Sequence, residues 1–191
     1  MTMKMAFPPV DLSHTVARLG PVAQIAWVVD DLHAAIEPWI ALGVGPFFVF
    51  QHLKVNGLYY GKAVEIDMSA ALGYWGEVQI ELIVQHNAAD SIYSTWRDSG
   101  QKGPNHILLA AADFAAAQAA LTAAGGVIAQ EATIPGMAQL NYFDMGPSRP
   151  YIEIGQAFPG MIREIGRMRD ETNLYDGTRP VREINLTQFQ G

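Results

Sequence analysis

One pattern near the start of this chain recurs 82 residues further along it. The first copy covers residues 24–43 and the second covers residues 106–125. Each copy reads as an apolar strand, an aspartate that suits a helix N-cap, a helix of about three turns and a glycine that suits the residue after a helix end. The offset aligns the punctuating residues, Asp31 with Asp113 and Gly43 with Gly125. The repeat predicts a fold made of two copies of one module.

Strand-like runs follow each predicted helix, because apolar and β-branched residues recur there between turn residues. These runs cover residues 47–53, 60–70 and 77–85 in the first half, and residues 127–134, 139–144 and 151–155 in the second. Each half therefore reads β-α-β-β-β, which predicts an α+β fold. A link over residues 88–104, with a short helix near Ser91, joins modules at about residues 21–87 and 103–157.

The C-terminal segment, residues 158–191, has a different character from the modules. It holds five arginines and five acidic residues and is therefore neutral. The pattern predicts a solvated helix over residues 161–171, followed by an extended arm that serves as a surface or dimer-contact appendage. We therefore predict a single domain over residues 1–157 and a separate helical and extended tail over residues 158–191.

The composition limits the kind of site that such a fold can carry. The chain has no cysteine, which excludes disulfide scaffolds, thiolate catalysis and iron–sulfur clusters. Its net charge of −7 argues against nucleic acid and anionic membrane surfaces as partners. Residues 1–12 show no secretory signal pattern, and no apolar stretch is long enough to span a bilayer, so a cytoplasmic location is expected.

Each half places a polar residue on its first strand and a glutamate on its last strand. These residues are Gln24 and Glu81 in the first half, and His106 and Glu153 in the second. Strand side chains alternate between faces, and the opposite faces are apolar enough to seat the two helices. If the two sheets pair edge to edge and curl, the four polar groups converge in one cleft. An amide oxygen, two carboxylates and an imidazole suit Zn, Ni, Co, Mn or Fe as a divalent ion.

The two halves differ in length between these polar positions. The separation is 57 residues in the first half and 47 residues in the second. The excess predicts a longer hairpin near residues 55–60 or 71–76.

Aromatic side chains are dense around the proposed cleft. The candidates for substrate contact are Phe48, Phe50, Tyr60, Trp75, Tyr142 and Tyr151. Such a cluster favours an apolar or aromatic small molecule over a phosphate-rich one. Arg149 lies just before the last strand and could pair with a substrate carboxylate, and a plain turn residue is the alternative interpretation.

Several short motifs carry a resemblance to a known family. They are QIAWVVDDL at residues 24–32, GVGPF at 43–47, QIELI at 79–83, SIY at 91–93, NHI at 105–107 and YIE at 151–153. With these motifs the stretch over residues 21–156 resembles the vicinal-oxygen-chelate superfamily, which includes glyoxalase I, methylmalonyl-CoA epimerase, extradiol dioxygenases and bleomycin-resistance proteins. The Gly-x-Gly-Pro-Phe and Ile-Glu-Leu motifs look most like the epimerase-like glyoxalase branch.

The resemblance implies paired βαβββ modules that form a curled sheet around a metal cleft. It places the metal ligands at Gln24, Glu81, His106 and Glu153, an order similar to the ligand set of zinc-type glyoxalase I. The implied activity is that of a metal-dependent lyase or isomerase, which deprotonates the carbon next to a chelated carbonyl. Glu153 is the expected base, and Glu81 is the second candidate.

Two other functions stay open from the sequence. Binding members of the superfamily sequester small molecules such as drugs without catalysis, although keeping all four ligand positions favours an enzyme. An extradiol-type dioxygenase is less favoured, because Gln24 stands where that branch uses a histidine. In each case the expected partner is a small molecule, and a homodimer is expected.

Overall fold

The computed structural model describes residues 16–147 and 149–189, so the N-terminal segment that lacks a signal pattern lies outside the described residues. The described strands are β1 (Val22–Val28), β2 (Phe47–Tyr59), β3 (Lys62–Trp75), β4 (Val78–Gln85), β5 (His106–Leu109), β6 (Val127–Ile134), β7 (Ala138–Asp144), β8 (Tyr151–Ala157) and β9 (Val181–Glu183). The described helices are α1 (Leu32–Ala41), α2 (Ile92–Asp98), α3 (Phe114–Ala123) and α4 (Pro159–Asn173). The fold is a mixed α+β fold, as predicted.

The strands form one sheet that closes on itself. The order is β3-β4-β1-β5-β8-β7-β6-β2, and pairing of β2 with β3 completes a barrel-like ring of eight strands. Within each module the first and last strands are parallel neighbours, β1 with β4 and β5 with β8. Antiparallel pairs, β1 with β5 and β2 with β6, join the modules. The predicted pairing of two βαβββ modules into a curled sheet is confirmed.

The two equivalent helices begin and end at the punctuating residues of the repeat. The Asp31 carboxylate accepts hydrogen bonds from the backbone N–H groups of the first turn of α1, and Asp113 does the same for α3. After each helix the chain turns through a glycine in the left-handed region, Gly43 with φ 84° and Gly125 with φ 91°. Local hydrogen bonds therefore set the bounds of both helices.

Both helices cover the outer face of the ring with their apolar sides. Ile36 of α1 packs with Ile80 and Leu82 of β4, and Leu121 of α3 packs with Ile154 of β8. A third and larger apolar cluster lines the inside of the ring. Where the helices lie, both faces of the sheet are buried. Residues of the inner cluster surround a cavity.

The length difference between the modules lies in the strands. β2 and β3 have 13 and 14 residues, whereas their counterparts β6 and β7 have eight and seven. The turn between β2 and β3 falls at Tyr60–Gly61, so the extra residues lie in the hairpin around residues 55–60, the first of the two places predicted. Asn-Gly is a strong turn signal, but here Asn56 and Gly57 lie inside β2. Gly57 allows the backbone of β6 to approach β2 closely.

The C-terminal tail is part of the packed structure, so the prediction of a fully solvated helix is wrong. On α4, Glu164 and Met168 are buried, and the Arg167 side chain bonds Glu164 and Glu171. The extended arm contributes β9, which pairs in parallel with the start of β2. Met168, Ile184 and Phe189 of the tail pack in the apolar cluster inside the ring. The division into a domain of residues 1–157 and a tail remains a prediction.

Among the described residues, no helix has both the length and the apolarity that crossing a bilayer would require.

Replacing Gly57 by alanine should destabilise the protein by about 2 kcal/mol or more, because a Cβ atom there would lie 1.8 Å from the Glu131 carbonyl oxygen. Urea denaturation gives the change in unfolding free energy. As a control, Gly166→Ala adds a methyl group in open space within α4 and should stabilise by about 0.5–1 kcal/mol. Equal stability of Gly57→Ala and the wild type would contradict the close strand approach.

Candidate metal centre

Four neighbouring strands bring the predicted polar residues to one wall of the ring. In the middle pair, Ala26 of β1 lies opposite His106 of β5, and Gln24 lies opposite Leu108. On the outer sides, Ala26 is the register partner of Glu81 in β4, and Leu108 is the register partner of Glu153 in β8. The four residues therefore occupy adjacent positions across the sheet.

His106 stands between the two glutamates. Its Nε2 lies 3.1 Å from Glu81 Oε2 and 2.9 Å from Glu153 Oε2. One ligand atom from each residue lies within 4.8 Å of the other two. The His106 side chain is fully buried, and the side chains of Glu81 and Glu153 are 14% and 5% exposed. The structure thus brings together three of the four predicted ligands in one largely buried cluster.

Asn105 sets the tautomer of the neutral His106 ring. The Asn105 side-chain NH₂ donates to the Ile92 carbonyl, which leaves its Oδ1 as an acceptor 3.0 Å from His106 Nδ1. Nδ1 must therefore carry a proton, and in the neutral ring Nε2 has none. A histidine held in this way by a neighbouring oxygen is typical of metal ligands.

The electrostatics of the pocket favour protonated groups. Burial alone would lower the pKa of His106, but the carboxylates of Glu153 and Glu81 outweigh burial and raise the pKa to about 9. Burial also raises the pKa of Glu153, more than the neighbouring imidazolium lowers it. The pKa values of Tyr93 and Tyr142 are raised by burial and by the nearby carboxylates. Without a cation, protons on His106 and Glu153 offset the buried negative charge.

A divalent cation fits this set of donors. The Nε2 atom can point one N–H at one acceptor, and its hydrogen-bond geometry is satisfied toward Glu81. Glu153 Oε2 is buried and lies 2.9 Å from the same nitrogen, but not in the geometry of a good hydrogen bond. A buried carboxylate oxygen without a donor is costly unless it has another positive partner. A cation bound to Nε2 and both carboxylates would supply that partner.

Gln24 is oriented from behind by a chain of hydrogen bonds. Gln79 donates from Nε2 to the Tyr74 hydroxyl at 2.7 Å, so its Oε1 is free to accept from Gln24 Nε2 at 2.6 Å. The Gln24 amide oxygen, the atom that a cation would take, stays outside this chain. Gln24 is 6% exposed and lines the same cavity as both glutamates.

The cavity beside these residues has a volume of about 350 Å³ and is mostly apolar. Its apolar lining includes Phe50, Leu53, Met68, Leu140, Met161 and Ile165. Among the described residues that line it, Glu81 and Glu153 carry the formal charges. The volume and character match a small-molecule site with a few polar groups at one end.

Two of the predicted substrate contacts, Phe50 and Tyr142, line this cavity. Phe48 is fully buried but lies beneath the guanidinium groups of Arg167 and Arg182, at 5.5 Å and 6.0 Å from its ring centroid. Phe48 does not line the cavity, because these two arginines of the tail cover its ring.

The other four predicted contacts lie outside the described cavity lining. Tyr60 is in the β2–β3 turn and bonds Asp144, and Arg149 is exposed and bonds the Met145 carbonyl. Trp75 is 56% exposed, because its neighbour Tyr74 takes the inward position on β3. Tyr151 is half-buried in β8.

Sequence reasoning missed several residues of the site. Gln79 is two residues before Glu81 on the same strand, and alternation places both on one face, but the sequence did not indicate that Gln79 orients Gln24. Asn105 and Tyr93 belong to motifs on which the family resemblance rests, but sequence reasoning assigned neither residue a role in the site. Met161 and Ile165 lie one helical turn apart on α4, and nothing in the sequence indicates which strands they meet.

Comparison with known proteins gives one family. Residues 23–143 match the sequence profile described as the Glyoxalase/Bleomycin resistance protein/Dioxygenase superfamily. The match spans the candidate ligands Gln24, Glu81 and His106 and ends before Glu153. A search of curated proteins finds no match to this chain.

Three solved structures are similar to this chain at low sequence identity. Methylmalonyl-CoA epimerase from Mycobacterium tuberculosis superimposes with a TM-score of 0.52 and 16% identity, over 74% of this chain and 91% of the epimerase. A triple mutant of 4-hydroxymandelate synthase from Streptomyces coelicolor gives a TM-score of 0.46 and 15% identity, over 73% of this chain and 41% of that protein. A glyoxalase family protein from Bacillus cereus gives a TM-score of 0.28 and 15% identity, over 71% of this chain and 92% of that protein.

The metal-free protein should lose stability as the pH rises from 6.5 to about 9. The folded state raises the pKa of His106 above its ordinary value, so it holds more protons than the unfolded state in this window, and the unfolding free energy falls with pH. The stabilisation is fully present below pH 6.5, and its loss amounts to about 3 kcal/mol by pH 9.

Urea denaturation of chelator-treated protein across this pH range measures the effect. His106→Gln should flatten the dependence, whereas His33→Ala, an exposed histidine on α1, should keep it. A wild type and His106→Gln with the same pH slope would contradict the assignment.

Proposed function

Because this chain belongs to the Glyoxalase/Bleomycin resistance protein/Dioxygenase superfamily, we propose that it is a metal-dependent lyase or isomerase. Its reaction is deprotonation of the carbon next to a chelated carbonyl in an apolar or aromatic substrate. The observation that carries the proposal is the meeting of His106 with Glu81 and Glu153, two carboxylates that line an apolar cavity. These three side chains would bind the metal ion at one end of the cavity, and the apolar remainder of the cavity would hold the rest of the substrate.

The cation would be held by His106 Nε2, by one oxygen each of Glu81 and Glu153, and by the Gln24 amide oxygen. Zn, Ni, Co, Mn and Fe are all compatible with one nitrogen and three oxygens. When bound, the ion acts as a Lewis acid that polarises a substrate carbonyl, which makes the C–H group on the neighbouring carbon more acidic.

Glu153 is the proposed base, and the oxygen of its carboxylate that does not hold the cation would receive the proton. The Glu153 side chain is 5% exposed and lines the cavity, so a substrate in the cavity would lie beside it. Burial raises the pKa of Glu153, which moves the carboxyl toward the range where a general base works best near neutral pH. Glu81 is the second candidate, but it already accepts from His106 and is more exposed.

The cavity supports an apolar or aromatic substrate. Phe50 and Tyr142 offer ring faces, and Leu53, Met68 and Met161 offer aliphatic surface. Formal positive charge is absent from the described lining, which disfavours a phosphate or carboxylate held deep in this space. We propose that the oxygens of the substrate lie at the metal end and its apolar body lies toward α4.

A homodimer and a cytoplasmic location also belong to this proposal. Light scattering on a gel-filtration column tests the dimer directly. The exposed Trp75, which packs edge-on against Trp39 on the outside of the ring, is an apolar surface available to a second copy.

Non-catalytic binding of a small molecule is the second candidate function. The observation in its favour is the apolar cavity itself, which would hold a hydrophobic compound without any metal chemistry. A metal-free protein that binds an aromatic ligand and exchanges no substrate proton would support this candidate over the enzyme.

Replacing Glu153 by glutamine should reduce proton exchange at the substrate carbon by about 100-fold or more, the usual contribution of a general base. The assay follows deuterium uptake from solvent by NMR, with α-hydroxyketones, 2-oxoaldehydes and acyl thioesters as the panel, on protein of measured metal content. Glu65→Gln changes an exposed glutamate on β3 and serves as the matched control. Exchange by Glu153→Gln at the wild-type rate, with metal retained, would sink the assignment of the base.

A further inference from the structure

A second cluster of metal-ligating side chains lies on the outer face of the ring, where β2, β3 and β4 are neighbours. It consists of His52, Asp67 and His86, each of which has a ligand atom within 4.8 Å of those of the other two. In the same stretch Leu53 and Met68 point inward and line the substrate cavity. None of the three outer residues lines that cavity, so the cluster is separate from the centre around His106.

A β-bulge aims His52 at the cluster. Phe50 pairs with Ala70 and Leu53 pairs with Met68, so two residues of β2, Gln51 and His52, oppose the single Ser69 of β3. His52 takes φ 51°, in the left-handed region that a residue with a Cβ enters at a cost. Bulges of this kind turn a side chain away from the direction that the strand would give it.

The bulge brings two imidazoles and a carboxylate together. The ring centroids of His52 and His86 are 4.5 Å apart, and His52 Nδ1 lies 3.0 Å from Asp67 Oδ1. Two imidazoles at this distance would repel one another if both were protonated, so the pair is suited to sharing a cation.

Ser69 orients His86 from below. The Ser69 hydroxyl donates to Gln51 Oε1 at 2.9 Å and therefore accepts at 2.8 Å from His86 Nε2, which must carry its proton. The other ring nitrogen of His86 then keeps its lone pair. A ring N–H bonded to a fixed oxygen is the usual support of a histidine that binds a metal.

We propose that His52, Asp67 and His86 form a second binding site, for Zn²⁺ or a similar borderline divalent cation, that ties the β2 bulge to the end of β4. Two imidazoles and one carboxylate suit such ions and not Ca²⁺ or Mg²⁺, which take oxygen ligands. Water completes the coordination, since His52 is 63% exposed. The cation would rest on the outside of the strands whose inner side lines the cavity.

Lys54 limits the affinity of this site. Its Nζ lies 2.6 Å from Asp67 Oδ2, which keeps the carboxylate ionised but places a positive charge beside the cation. Lys54 contacts Oδ2, so the oxygen that would bind the cation is Oδ1, which lies 3.0 Å from His52 Nδ1. Removing this charge should tighten Zn²⁺ binding by about fivefold, as expected for like charges near a protein surface.

The test is Zn²⁺ titration of the full-length, chelator-treated protein by calorimetry, with metal content after dialysis as a second readout. The double variant His52→Gly with His86→Ala should lose one Zn²⁺ site relative to the wild type. Lys54→Gln should tighten that same site, and His33→Ala should change neither number nor affinity. Glycine suits the positive φ at position 52, so the double variant keeps the bulge and should remain folded.

The number of sites lost decides the outcome independently of the proposed enzyme. If the His106 centre binds no metal, the wild type has one Zn²⁺ site, and that site disappears in the double variant. Unchanged Zn²⁺ stoichiometry and affinity in both the double variant and Lys54→Gln would overturn the second site, whatever His106→Gln does.

Discussion

The antiparallel pairing of β1 with β5 is the contact on which the site depends. These strands open the two modules, and their register places Ala26 opposite His106 and Gln24 opposite Leu108. Each strand is also the parallel neighbour of the last strand of its own module, which carries a glutamate. A shift of one residue at this junction would turn His106 away from Glu81 and Glu153, because strand side chains alternate between faces.

The resulting pocket is energetically unfavourable for the folded state. Two carboxylates lie within 3.1 Å of one imidazole nitrogen in a largely buried cluster, and the buried Oε2 of Glu153 lacks a hydrogen bond of good geometry. Buried polar groups of this kind do not strengthen a fold, and protein cores retain them where a ligand or a reaction needs them. Asn105 and Gln79, which orient His106 and Gln24, belong to the same arrangement, since a ligand is useful only in a fixed orientation.

The tail and the β2 bulge complete the molecule around this pocket. Met161 and Ile165 of α4 line the cavity, and β9 pairs in parallel with the start of β2. The bulge that turns His52 outward also separates Phe50 from Leu53, and both of these residues line the cavity. The outer cluster and the inner wall are therefore two sides of one strand segment.

The sequence by itself determined the features that depend on short-range rules. The repeat, the Asp31 and Asp113 caps and the equivalent positions of Gln24 and His106 all follow from hydrogen bonds within a turn and from strand alternation. Tertiary structure alone decided the rest, because it depends on residues far apart in the chain. Gly57 lies in a strand because β3 and β6 pair with it from both sides, and Trp75 faces outward because β3 continues past its predicted end. The tail reaches the cavity through contacts whose partners are distant in the sequence, and so no local pattern could predict its role.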